Sequence, residues 1–177
     1  MKIKLLKGLA CLALCAITFS CSNKSNQQVI SNYSASIQDK EKIHQLIVDE
    51  KFSEAIYMSD SLFAAYPIDP QLPVLKGFAY YLMGDMPKKD EAFTEAIKSY
   101  DNLLAVRPDL SDELNKAICI LFTEGDEAYQ KYLDGIEQNE NYKDNAEYVA
   151  GYRIVTIDEI IGDAFFSGNY PPNNSQE

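Results

Sequence analysis

Histidine is almost missing from this sequence of 177 residues: His44 is the only one, and there is no tryptophan. A zinc hydrolase of the His-Glu-x-x-His kind needs two histidines, so that chemistry is excluded. No Gly-x-Ser-x-Gly elbow, phosphate-cradling glycine-rich loop or Cys-x-x-Cys pair occurs either. Basic residues are scarce, 16 Lys+Arg against 27 Asp+Glu for a net charge of -11. A nucleic-acid backbone is held by clustered cations, so nucleic acid is not an expected partner. Apolar runs are short as well. The longest, Leu9 to Phe19, falls below the about 20 residues that a membrane span requires. No stretch alternates strictly between apolar and polar residues, which removes the usual signature of strands.

What is present begins with an address. Lys2, Lys4 and Lys7 form a basic start, and the uncharged run from Leu9 to Phe19 follows, the layout of a secretory signal over residues 1–20. The run stops at Thr18-Phe19-Ser20-Cys21, with polar Ser22-Asn23-Lys24 beyond it. This resembles the lipobox of bacterial lipoproteins, in which the signal is cut before a cysteine that then carries acyl chains. Ser20 matches the small residue before the cut; Thr18 and Phe19 depart from the usual pattern. Cys11 would leave too short an apolar segment and Cys15 follows bulky Leu14, so Cys21 is the expected lipidation site. The resemblance implies diacylglycerol and an amide-linked chain on Cys21. Ser22 after the cysteine points, by analogy with enteric sorting, to the outer membrane. The lack of an acidic run after Cys21 favours the periplasmic face.

Cleavage before Cys21 removes three lysines and no acid, leaving 13 basic and 27 acidic residues and a net charge of -14. Only Cys21 and Cys119 then remain. Acylation of the first leaves no partner for a disulfide, and Cys119, within Ala117-Ile118-Cys119-Ile120-Leu121-Phe122, reads as a small buried apolar residue.

Residues 21–37, rich in Ser, Asn and Gln, read as a flexible tether, and 168–177 as a disordered tail. Between them, residues 38–167 carry apolar residues at helical spacing. Phe52, Ala55, Ile56, Leu62 and Phe63 form one stripe, Phe93, Ala96, Ile97, Tyr100, Leu103 and Leu104 a second, and Ala128, Tyr129, Tyr132, Leu133 and Ile136 a third. The spacing predicts an all-α fold.

The first two stripes repeat one another. Phe52-Ser-Glu-Ala55-Ile56 leads to Pro67 as Phe93-Thr-Glu-Ala96-Ile97 leads to Pro108, each proline 15 residues after its Phe. Before the second, Lys76-Gly77-Phe78-Ala79-Tyr80-Tyr81-Leu82-Met83-Gly84-Asp85 resembles helix A and the turn of a tetratricopeptide repeat. Gly77 matches the small residue where helices pack closely, Tyr80 the large aromatic, Gly84-Asp85 the turn, and Ala96, Tyr100 and Pro108 the corresponding positions of helix B. Flanking units match less well. Ile43 stands where Gly or Ala is expected, and the third unit, from about Leu110 to Gln138, has no closing proline. The prolines lie 41 residues apart rather than 34, and seven extra residues are nearly two helical turns. Helix B can therefore be longer at its start, with Pro87 in its first turn, or carry a looped insertion. Residues 143–167 read as a terminal capping helix. The expectation is a short solenoid of antiparallel helix pairs, about seven helices in all.

Carboxylate pairs such as Asp90-Glu91 and Asp126-Glu127 are expected in first turns of helices, where they complement the dipole rather than act as acid and base. The acidic segment from Glu137 to Asp144 lacks the glycine and terminal glutamate of a calcium loop. Neither a catalytic residue, a metal nor a cofactor is expected. The remaining route to function is a surface: in tetratricopeptide arrays the inner face of the A helices takes an extended peptide or a partner helix. The resemblance puts Val74, Phe78 and Tyr81 on that face, with Asn115, Cys119 and Phe122 from the third unit and His44 and Ile47 from the first. Either this face is open to a partner or the C-terminal helix fills it. The expected role is a lipid-anchored scaffold for a protein partner in the bacterial envelope; an accessory to a transporter and an exclusion or immunity lipoprotein are the alternatives.

Overall fold

The computed structural model describes residues 34–166, which hold eight α-helices and no strand. Cys21, the expected signal at 1–20, most of the expected tether and the expected tail lie outside the described residues. The helices are α1 (Ile37–Val48), α2 (Phe52–Ala65), α3 (Gln71–Met83), α4 (Met86–Val106), α5 (Leu110–Glu124), α6 (Asp126–Glu137), α7 (Ala146–Tyr152) and α8 (Ile157–Phe165), with a 3-10 turn at Lys143–Asn145.

Local chemistry explains most boundaries. The Ser36 hydroxyl accepts the Asp39 N–H at 3.1 Å and opens α1, and the Asp109 carboxylate accepts the N–H groups of Ser111 and Asp112 at the start of α5. Gly84 ends α3 at φ 76, a left-handed conformation that costs a residue without Cβ little. Asp85 then caps α4 through the Lys88 N–H at 3.3 Å. The seven extra residues lengthen α4 at its start: it runs for 21 residues, with Pro87 in the first turn, where a missing N–H goes unused. Asp126 and Glu127 lie in the first turn of α6. Asp90 and Glu91 do not lie in that of α4, because the helix already begins at Met86. Asp90 instead pairs with Lys89 at 2.7 Å.

Each helix from α1 to α5 packs on the next across a connection of one to five residues, which makes neighbours antiparallel. α1 also touches α3, and α8 returns to α1. Helices α3 and α4 approach closely at Gly77, where a Cβ would lie 2.9 Å from the Phe93 ring. Lys76 binds the pair to α2, reaching Asp60 and Glu95 at 2.9 Å each. The Lys89 ammonium, buried between helices, donates to the Phe122 carbonyl near the end of α5.

The fold differs from the sequence expectation at both ends. Ala35 is already buried and Ser34 already bonded, so ordered packing reaches into the expected tether. The pivot is Asp69, itself 3% exposed. It accepts the Ser34 hydroxyl at 2.6 Å, the Ala35 N–H at 3.0 Å and the Gln71 N–H at 3.1 Å, and pairs with Lys40 at 2.8 Å. A buried carboxylate is tolerable only with its lone pairs filled in this way. At the other end, the expected single capping helix is two short ones. A new N-terminus forms at Thr156, whose hydroxyl accepts the Glu159 N–H while the Glu159 carboxylate accepts the Thr156 N–H. Arg153 holds the break against α6, through Glu137 at 2.8 Å and Asp134 at 2.7 Å.

Candidate partner-binding face

Helices α1, α3 and α5 supply the residues expected to line the inner face, and the structure brings them together. Phe78 on α3 is the centre. Its ring meets those of Phe93, Phe122 and Phe165 edge-on, each at 5.3 Å between centroids. Phe93 and Phe122 lie 4.8 Å apart, and Tyr81 meets Phe122 at 5.3 Å. Edge-to-face contacts of this kind add to the hydrophobic gain, because the positive ring edge meets the negative ring face.

Phe165 comes from α8, and it closes the face. Its ring stacks on His44 at 4.9 Å with 23° between planes. One residue earlier, the Ala164 carbonyl lies 2.7 Å from His44 Nε2. A carbonyl only accepts, so Nε2 carries the proton and donates. The rest of the buried side of α8 is Ile160, Ile161 and Gly162.

Most of the residues expected on this face are removed from solvent. Val74, Phe78, Asn115 and Phe122 are each 7% exposed or less, and Ile47 and Cys119 are fully buried. Tyr81 and His44 are half-buried. The physical reason is that α3 is apolar on two sides: one packs α4 through Gly77, and on the other the Phe78 ring is covered jointly by Phe93 of α4, Phe122 of α5 and Phe165 of α8. Of the two arrangements open from sequence, the described chain adopts the filled one.

The face is built mainly from aromatic and aliphatic side chains. Burial pushes the Cys119 thiol far above its ordinary range, which suppresses the thiolate that a nucleophile or metal ligand needs. Among the described residues, no three His, Cys, Asp or Glu side chains come together in a way that could hold a metal ion. No described helix is long and apolar enough to cross a membrane. An open depression between α3 and α4 is lined by Lys76, Tyr80, Lys88 and Glu95 among others. Two of its three lysines are paired, Lys76 as described and Lys88 with Asp85 at 3.1 Å; Lys98 is the third.

Sequence reasoning put His44 on the inner face but missed its contact to α8, and missed Phe165 as its counterpart. The pair is 121 residues apart in sequence, and no local pattern joins them. Comparison with protein-family models, with curated proteins and with solved structures gave no match.

Proposed function

We propose that this chain is a lipid-anchored, non-enzymatic scaffold of the bacterial envelope, built on tetratricopeptide-like helix pairs, whose inner face takes a helical segment of a protein partner. Three features support the repeat reading: the close approach at Gly77, the Gly84-Asp85 turn, and the side-by-side placement of α1 and α3. The observation that carries the binding reading is α8 itself. A nine-residue helix lies against the inner face through the Phe165 ring and the Ala164 carbonyl, with Ile160 and Ile161 also buried. That is how a helix-in-groove interface is read, through few anchors at helical spacing. A partner reaches this face by displacing α8 and presenting an aromatic residue where Phe165 now lies.

The anchor reading rests on the signal-like segment and Cys21. It places the acidic domain at the outer membrane, facing the periplasm, with lipid supplying the attachment that a net charge of -14 opposes at an anionic surface. Membrane fractionation of cells expressing Cys21→Ser tests it. The variant is expected in the soluble fraction while the parent sediments with membranes. Unchanged sedimentation overturns the anchor.

A further inference from the structure

The helix order gathers one set of termini at one end of the bundle: the start of α1, the turn at 66–70 between α2 and α3, and the turn at 107–109 between α4 and α5. The described chain also begins there, since Asp69 in the first of these turns grips Ser34 and Ala35. Three large aliphatic side chains at this end are open to solvent: Ile37 at 56%, Ile68 at 41% and Val106 at 80%. Exposed Pro67 and Pro108 lie in the two turns and have no N–H to lose to water on burial. The charges nearby are already engaged. Asp69 and Lys40 pair, Arg107 reaches Asp112 at 2.8 Å, Asp39 accepts the Ser36 hydroxyl at 2.7 Å, and Asp109 caps α5.

We infer that this end is the membrane-facing end, with Ile37, Ile68 and Val106 entering the lipid headgroup region. The inference rests on the reading of Cys21 as the anchor. The link from Cys21 to Ser34 reaches at most about 45 Å even when fully extended, and it enters the fold beside these aliphatic side chains. The opposite end, with the α3–α4 turn, stands farther off by the length of α4, about 30 Å. Apolar side chains held repeatedly at the headgroup boundary partition into it, and a covalent anchor supplies that proximity.

The absence of tryptophan makes the test clean, because each introduced Trp is the only one. The chain from Cys21 onward contains every described residue and two cysteines, Cys21 and Cys119, of which Cys119 is buried and so shielded from coupling. It is coupled through Cys21 to maleimide lipid in phosphatidylethanolamine–phosphatidylglycerol vesicles carrying brominated acyl chains. Val106→Trp and Ile68→Trp are compared with Tyr57→Trp on α2 and Met83→Trp at the far end of α3. Emission from positions 106 and 68 is expected to shift to the blue and be lost to bromine quenching, while that from positions 57 and 83 is unchanged. Equal quenching at all four positions, or none at 106 and 68, overturns the inference. Chemical coupling replaces native acylation, so a failure of the anchor reading, seen by fractionation of Cys21→Ser, is distinguished from a failure here.

Discussion

Gly77 shows how one residue sets the spacing of two helices. A Cβ there would meet Cε2 and Cζ of Phe93 at 2.9 Å, and Phe93 has no free direction, being fully buried against Phe78 and Phe122. Alanine gains about 1 kcal/mol of helix propensity over glycine, whereas overpacking a filled core costs about 1–3 kcal/mol. Gly77→Ala is therefore expected to lower stability by about 1–2 kcal/mol. At Gly135 in α6 an added Cβ would have nothing within 4 Å, so Gly135→Ala is expected to raise stability by up to about 1 kcal/mol. Urea denaturation of the two variants checks the opposite signs; equal shifts would contradict the packing account. Gly77 was legible in the sequence because a small residue and an aromatic stripe lie within one helix pair. Asp69 was not, since its partners Ser34, Ala35 and Lys40 lie about 30 residues earlier and only the folded turn unites them.

At the scale of elements, α8 is one of two short helices that close the fold. Nine residues form a marginal helix alone, and α8 depends on its capping box and on contacts with α1 and Phe78. Elements with few buried contacts open first. Phe165→Ala removes the ring between His44 and Phe78, a change that costs about 3–5 kcal/mol where a core cannot rearrange. Because α8 can undock instead, the loss is expected to fall locally. Amides of residues 160–165 should exchange with deuterium at least about tenfold faster, while those in the middle of α3 and α4 change much less. Uniform acceleration across all helices would show that α8 is inseparable from the core. The seven-residue arithmetic between Pro67 and Pro108 allowed either a looped insertion or a longer α4, and the structure has the longer helix, in which nearly whole turns keep the buried stripe in place. The split between α7 and α8 went unread because apolar spacing runs through it, although Thr156-x-x-Glu159 is a local start signal.

For the whole molecule, the helical class was legible because periodicity is local, and the closure of the inner face was not, because it joins the first helix to the last. Tyrosine ties the second half together: Tyr129 donates to the Tyr152 carbonyl at 2.8 Å, and Tyr132 donates to Glu113. Burial pushes the phenols of Tyr100, Tyr129, Tyr132 and Tyr152 above their ordinary value of 10.0, with the Glu113 carboxylate adding to the effect on Tyr132. A raised folded-state value means that the folded chain holds these protons more tightly than the unfolded chain. The associated stability is complete below pH 10.0 and is lost as pH rises beyond it. Tyrosinate absorbance is thus expected to rise first for exposed phenols with helicity intact, then in a second step that coincides with loss of helical circular dichroism. A single step with helicity retained would contradict the burial of these rings.

The claim that binds these scales together is that the inner face receives a protein partner once α8 leaves. Its direct test is a photo-crosslinking amino acid at position 81 in the full chain, activated in intact cells, with and without Phe165→Ala. Tyr81 packs on Phe122 at the edge of the filled face. The account predicts one discrete adduct with a second protein, the same in both chains and more abundant when Phe165 is replaced. Crosslinks confined to the chain itself in both cases, with membrane attachment intact, would contradict it.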